Sequence, residues 1–222
     1  MHQPIRGMIT TILNKRFSYL FFTIILLFLL RPFVAGVTSL NVVTNIFLWF
    51  IVISCVWAVQ ERRKHQGVVI TMATAAILAG GLDFFLQNAV TAWASKITIV
   101  LFLIYSVIAI LFYLFRQEAV TSDMIMASAS EYVLIGILWS FLFYILEMVY
   151  PGSFRFSGSD MEPSGFLYFS FVTLTTTGYG DVLPVSVQAR SLAMLEMLTG
   201  QLFIAITVAR LVSLYTAHGD KH

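Results

Sequence analysis

Apolar residues run through this chain in long, nearly unbroken stretches separated by short polar breaks. Five stretches have the length of a membrane span: Phe17–Ala35, Leu40–Val59, Val68–Leu86, Ile97–Phe115 and Tyr132–Tyr150. A sixth, Ser191–Tyr215, is as long and carries Glu196, Gln201 and Arg210. A hydrocarbon core of about 30 Å takes roughly 20 predominantly apolar residues in a helix, so the pattern predicts six spanning helices. Between the fifth and sixth the pattern changes. Pro151–Pro163 is polar and rich in Gly and Ser, with Arg155, Asp160 and Glu162. Pro163-Ser164 then starts a short apolar helix, Gly165–Leu174, of about three turns. It is too short to cross, and a half-helix at membrane depth is tolerated only where protein surrounds it or water lines it. The polar run Thr175–Asp181 follows, and Asp181–Val187 leads into the last span.

The expected fold class is an all-α membrane protein with six transmembrane helices and a re-entrant helix and loop between helices five and six. Residues 1–115 form a four-helix unit and 131–222 a second unit. The Ser-rich stretch 116–130 is expected as a linker, a short amphipathic helix with Val120, Met124 and Ile125 about one turn apart. The first apolar run is read as a retained span. It lacks an Ala-x-Ala cleavage signal, and Arg31-Pro32 near its outer end suits an interfacial anchor.

Composition agrees with a membrane setting. Hydrophobic residues make up 59% and charged residues 11%, against about 25% charged in soluble domains. The mean hydropathy is +0.89. Basic residues orient the spans. Arg6, Lys15, Arg16, Arg62, Arg63, Lys64, Arg116, Arg210 and Lys221 fall on one side; Arg31, Lys96, Arg155 and Arg190 fall on the other. Nine against four places both termini in the cytoplasm of a multi-pass protein of the cell (plasma or inner) membrane. The net charge of +2 thus reports topology, and nothing in it points to nucleic acid. The single Cys55 is read as a small buried apolar residue, with no disulfide framework. Packing accounts for Trp49, Trp57, Trp93 and Trp139. Asp83 and Lys96 are within reach of each other, but each is expected to be solvated at the interface. His2, His65, His218 and His222 are scattered through polar segments and form no metal or catalytic set.

The chemistry sits in Thr175-Thr176-Thr177-Gly178-Tyr179-Gly180-Asp181. Desolvating a cation requires oxygens on all sides, and rings of main-chain carbonyls can replace its water. Turning successive carbonyls the same way takes backbone angles of alternating hand, which Gly178 and Gly180 permit at little steric cost. The Thr176 hydroxyl adds one further oxygen. Tyr179 offers an apolar ring to wedge behind the strand and an OH for a neighbour. Asp181 closes the run, where a ring of carboxylates would concentrate cations at the outer mouth.

On these residues the chain resembles the pore of tetrameric potassium channels, whose filter strand reads Thr-Val-Gly-Tyr-Gly-Asp. Thr177 stands in place of the Val. The resemblance covers Tyr132–Tyr215 and implies a pore helix, a selectivity filter and an inner helix. It implies potassium ions held by the backbone carbonyls of Thr176, Thr177, Gly178 and Tyr179 and by the Thr176 hydroxyl. Tyr168 and Phe169 occupy positions where many members carry a tryptophan pair around the filter. Val172 stands where some members place a carboxylate behind it, which leaves Asp181 without that partner. In the family the inner helix bends at a glycine, and Gly200 lies nineteen residues after Asp181 at the matching position. Gly200 is read either as a gating hinge or as a point of close helix packing. Gln201, Ile204, Val208 and Val212 are the candidates for the cavity and inner gate; the alternative phase presents Leu202, Ala205 and Ala209.

Glu196 is the one acid inside the sixth span, and an ionisable group at that depth is a functional candidate. Thr173 and Thr175 are its expected partners, which with Tyr168 and Phe169 would make it filter support; the other reading is a pH-sensitive element.

Function is therefore expected to be passive, potassium-selective conduction. One chain supplies one filter strand, so a homotetramer in a lipid bilayer closes the ring. Potassium is the permeant ion; no other cofactor, small-molecule substrate or nucleic acid is expected, no regulatory ligand is indicated, and no nucleophile–base pair points to an enzyme. Three other readings share some features. A weakly selective or non-selective cation channel has the same architecture. A secondary transporter would need internal repeats or paired broken helices, and a non-conducting membrane scaffold would need no filter. Voltage sensing needs several charges in the fourth span, at about 2.3 kcal/mol per charge per 100 mV, and Ile97–Phe115 has none. Conductance is accordingly expected to depend weakly on voltage. A measured gating charge of several elementary charges per channel would contradict this.

Overall fold

The computed structural model describes residues 16–34, 40–59, 63–157 and 163–219. In chain order they form α1 (Arg16–Val34), α2 (Leu40–Val59), α3 (Arg63–Leu86), α4 (Ala89–Arg116), α5 (Ser122–Val149), β1 (Phe154–Phe156), α6 (Pro163–Leu174), β2 (Val182–Pro184) and α7 (Val187–Gly219). Among the described residues, four helical stretches are long and apolar enough to cross a membrane: Gln66–Leu86, Ala89–Arg116, Ser122–Val149 and Val187–Ala217. The apolar stretches described in α1 and α2 are shorter, Arg16–Leu30 and Ile46–Val59. This predominantly helical build is that of a multi-pass membrane protein. Arg6, Lys15, Arg62, Lys221, His2, His222, Asp160 and Glu162 lie outside the described residues, as do the side chains of Arg31, Pro32, Arg63, Lys64, His65 and His218.

The chain divides into two compact units, residues 1–131 and 132–222. In the first, α1 packs on α2, α2 on α3, and α3 on α4, which also touches α2. Cys55 is buried there. The helix α4 buries Ile99, Phe102, Leu103, Ser106, Val107, Ile110 and Leu114 at helical spacing. It exposes Leu101, Ile104, Ile108, Phe112 and Phe115 on other faces. A helix apolar all round is at home in lipid or a large core.

Two expectations change in this unit. The linker 116–130 is not a separate element: only residues 117–121 interrupt the helices, and Ser122 onward already belongs to α5. The polar residues there are absorbed locally. Thr121 Oγ1 accepts the Met124 amide at 3.1 Å, as a helix cap does. Ser128 and Ser130 return their hydroxyls to the carbonyls of Met124 and Met126. Asp123, in the favourable first turn, accepts the Phe17 amide of α1 at 3.1 Å. Asp83 and Lys96 also pair after all, at 3.4 Å. A capping box between Asn88 and Thr91 starts α4 directly after the Gln87–Asn88 break. That brings the Ser95 hydroxyl to Asp83 at 2.9 Å and the Thr91 hydroxyl to 3.3 Å, so the carboxylate is held in place for Lys96.

In the second unit the chain is not wholly helical. The polar segment after α5 carries β1, which pairs antiparallel with β2 in the register Phe154↔Pro184, Arg155↔Leu183, Phe156↔Val182. Ser157 N donates to Asp181 O and Val185 N to Ser153 O, both at 2.8 Å, extending the clasp. The Glu147 carboxylate secures the turn by accepting the amides of Gly152 (2.6 Å) and Phe154 (3.1 Å). The two strands thus tie the segment before α6 to the segment after Asp181.

Beneath the clasp lies an aromatic core of Phe143, Phe154, Phe166 and Phe169, closed by Ala189 and Ala193. Ring centroids are 5.0–5.5 Å apart for Phe143–Phe169, Phe154–Phe166, Phe154–Phe169 and Phe143–Phe154, all edge-on. Edge-to-face pairs at this distance add to burial. Phe154, 2% exposed, joins α5, α6 and the clasp. Phe154→Ala is expected to cost about 3–5 kcal/mol in unfolding experiments in detergent. A loss below about 1 kcal/mol would show that the aromatic core does not hold this unit together.

Candidate functional site

The site begins where α6 stops. This helix has 12 residues, about 18 Å, and ends at Leu174. A helix end leaves its last carbonyls unpaired, and here the following run supplies the donors. Thr175 N reaches Phe171 O at 3.0 Å and Thr176 N reaches Thr173 O at 2.9 Å. Val172 O accepts two amides, from Thr177 at 2.9 Å and Gly178 at 3.3 Å. Val172 therefore supports the run through its backbone, although its side chain has no carboxylate to offer.

Positive φ angles recur at alternate residues: Thr176 (58°), Gly178 (61°) and Gly180 (82°). Gly178 and Gly180 take them freely. Thr176 bears a β-carbon, at a cost of about 1–2 kcal/mol, and the hydrogen bond from its amide to the Thr173 carbonyl helps to hold it there. Among the described residues, the carbonyls of residues 176–180 accept no hydrogen bond from the rest of the chain. The Thr177 hydroxyl, which a Val would lack, shares a hydrogen bond with the Thr175 hydroxyl at 2.9 Å. Thr175 Oγ1 also lies 2.7 Å from Phe171 O.

Tyr168 and Phe169 have separate tasks. Phe169 is buried in the aromatic core. Tyr168 stacks parallel to Tyr179, with centroids 6.4 Å apart and planes 4° from parallel. Asp181 lies near enough to the Tyr168 hydroxyl to raise the phenol above its ordinary range, ahead of burial and neighbouring charge. Asp181 thus does have a partner. It is a phenol from α6, in place of the carboxylate missing at Val172.

Behind the run, α6 is wedged between two glycines. A β-carbon on Gly200 would lie 2.6 Å from Leu174 O and 2.9 Å from Leu174 Cδ1. One on Gly136 would lie 2.9 Å from the Phe171 ring and 3.3 Å from Leu174 Cδ2. The close-packing reading of Gly200 therefore has a direct geometric basis, and α7 runs as one helix through it. Tyr132 on α5 donates its hydroxyl to Leu174 O at 3.2 Å and stacks on Phe203 of α7. Sequence reasoning missed Gly136 and Tyr132: a glycine and a tyrosine in an apolar span are ordinary until their neighbour is known.

Glu196 is fully buried, but its partner is Ser170 and not Thr173 or Thr175. The reason is register. Gly200 faces Leu174, so Glu196, one turn earlier on α7, faces the residue one turn earlier on α6. The Ser170 hydroxyl also lies 2.7 Å from the Gly136 carbonyl. Gln201, Ile204, Val208 and Val212 are exposed on α7, and so are Leu202, Ala205 and Ala209. Both sets of α7 residues are thus uncovered in one chain. Another buried acid, Glu131 in the first unit, was not singled out from the sequence; neither of its carboxylate oxygens has a hydrogen-bond partner among the described residues. No group of three or more His, Cys, Asp or Glu side chains converges among the described residues.

A family model described as "Ion channel" matches residues 131–217, less than half of the chain. The match takes in α5 from Glu131, all of α6 and most of α7, and supports an ion-channel domain there in place of an enzyme. No curated protein matches the chain, and no solved structure does.

The two glycine environments give a paired prediction. Gly200→Ala is expected to destabilise by about 1–3 kcal/mol, because a backbone oxygen cannot move aside cheaply. Gly67→Ala on α3 has no atom within 4 Å of the new β-carbon and is expected to be neutral or stabilising. Comparing melting temperatures of the two variants in detergent checks this; equal shifts would refute the close-approach role.

Proposed function

We propose that this chain forms a potassium-selective channel, a homotetramer that conducts passively across the cell membrane with both termini in the cytoplasm. The observation that carries the reading is the run Thr176–Gly180: positive φ at every second residue, carbonyls unclaimed by the described chain, and a position directly after a helix too short to span. Four such strands around an axis would offer carbonyl rings from Thr176, Thr177, Gly178 and Tyr179, with Thr176 hydroxyls as the innermost oxygens. The C-terminal end of α6 carries the negative end of its dipole and would favour cations on that side. Asp181 rings would collect cations at the outer mouth.

Exposed apolar side chains support the assembly of several copies. Tyr179 is 71% exposed, and Val187, Met194, Leu195, Leu198 and Leu202 are exposed on α7. In the tetramer, neighbouring subunits cover one part of this surface and the inner-helix residues Gln201, Ile204, Val208 and Val212 line the cavity and gate. Gly200 then has two uses, close contact with α6 and a bend of α7 on opening. Tyr168, Phe169, Thr175 and Glu196 brace the filter.

The decisive experiment is flux and current from purified protein in defined vesicles. The reversal potential is expected to move by about 59 mV for a tenfold change in the potassium gradient at fixed sodium. A value near zero with opposed potassium and sodium gradients would favour a non-selective cation channel. Thr177 is the residue on which that alternative rests, since its hydroxyl bond to Thr175 replaces an apolar contact. Mass measurement of the detergent-solubilised particle is expected to give four chains; a stable monomer or dimer would overturn the ring.

A further inference from the structure

The contacts of Ser170 raise a question of proton count. Three oxygens meet in the buried space between α5, α6 and α7: Gly136 O, Ser170 Oγ and Glu196 Oε1. Ser170 Oγ stands within hydrogen-bonding distance of both others, at 2.7 Å from the carbonyl. A serine hydroxyl has one proton to give, a carbonyl has none, and a carboxylate has none. With an ionised Glu196, one of the two short oxygen–oxygen contacts would contain no hydrogen and would be repulsive. A second proton satisfies both contacts, and the carboxyl group of Glu196 is the group of the three that can carry it.

We propose that Glu196 is an un-ionised acid in the folded protein. Its carboxyl proton donates to Ser170 Oγ, and Ser170 donates in turn to the Gly136 carbonyl. This two-proton chain links the inner helix, the pore helix and the outer helix at one level. Three further observations agree with it. Ser170 and Glu196 are both fully buried, where an unpaired charge would be far more costly than a neutral acid. The titratable side chain that faces Glu196 from α5 is Tyr132, a phenol that supplies no positive charge, and α6 presents the uncharged Ser170. Finally, Glu196 Oε2 has no hydrogen-bond partner among the described residues, which a neutral carbonyl oxygen tolerates better than half of a carboxylate.

The role assigned to the chain of bonds deepens the channel reading and rests on it. Ser170 lies one turn before Leu174, where the proposed filter begins. Glu196 therefore acts as a positioning residue: it holds the end of α6 against α5 and α7 and touches no permeant ion. Removing its proton would leave two acceptors competing for the single Ser170 hydrogen and release one of the two links.

Infrared difference spectroscopy tests the protonation state without reference to conduction. Wild type minus Glu196→Gln, in lipid at pH 7, is expected to show the carbonyl stretch of one un-ionised carboxylic acid. The band should shift on exchange into D2O and change frequency in Ser170→Ala, which removes the acceptor of its proton. The paired stretches of a carboxylate in place of that band would overturn the proposal. Should Glu196→Gln fail to fold, wild type minus Ser170→Ala still isolates the same acid, and absence of any carboxylic-acid difference there would overturn it equally. The positioning role has its own measurement in potassium flux. Glu196→Gln, whose amide can donate to Ser170, is expected to keep flux within about threefold, whereas Glu196→Ala loses tenfold or more. Equal loss in both variants would refute the donor role. If no variant or wild type conducts while the acid band is present, the channel reading fails and the protonation state stands.

Discussion

A helix end leaves its final carbonyls without partners inside the helix, and the C-terminal unit is built around one such end at Leu174. Each carbonyl of the last turn of α6 finds a donor. Phe171 O takes the Thr175 amide, Val172 O the amides of Thr177 and Gly178, and Thr173 O that of Thr176. Leu174 O takes the Tyr132 hydroxyl. The same bonds that satisfy the helix bend the next residues into left-handed turns, so paying for the helix end also shapes the strand that follows.

That solution works only if the helix end can be enclosed. Gly136 and Gly200 remove two side chains so that α5 and α7 can close on Leu174 and Phe171. One turn back, Ser170 lies between the Gly136 carbonyl and Glu196. At the other end of α6, the aromatic core and the β1–β2 clasp hold the entry segment and the exit segment together. The half-helix is therefore fixed at both ends by different means: polar bonds and close backbone approach at the stop, aromatic packing at the start. Tyr168 extends this to the exit, stacking on Tyr179 and lying near Asp181. Tyr168 thus stands apart from Phe169, which serves the core, though the two are adjacent in sequence.

Much of this was legible in the residues themselves. Long apolar runs announce helices because backbone groups in hydrocarbon must bond within their own segment, and α3, α4, α5 and α7 follow the runs, extended at their ends except that α5 stops one residue short at Val149. The glycine spacing announced a backbone of alternating hand, which Gly178 and Gly180 adopt. The failures share one cause. Residues 122–130 read as a polar linker because their composition is polar, yet their hydroxyls turn back onto the helix or onto Phe17. The clasp strands are three residues each and have no periodic signal of their own. Asp83 and Lys96 looked like separate interfacial residues until the capping box at Asn88 brought them together.

The sequence by itself determined which segments are helical and apolar, and where a short interrupted one precedes a Gly-Tyr-Gly run; these depend on composition and on neighbours a few residues away. Only the tertiary structure decided the partners: Ser170 for Glu196, Tyr168 for Asp181, Leu174 for Gly200, Tyr132 for the last carbonyl of α6. Those choices follow from the register of α6 against α5 and α7. Register is a property of two surfaces in contact, and a shift of one turn would exchange every partner without altering the pattern of any single helix.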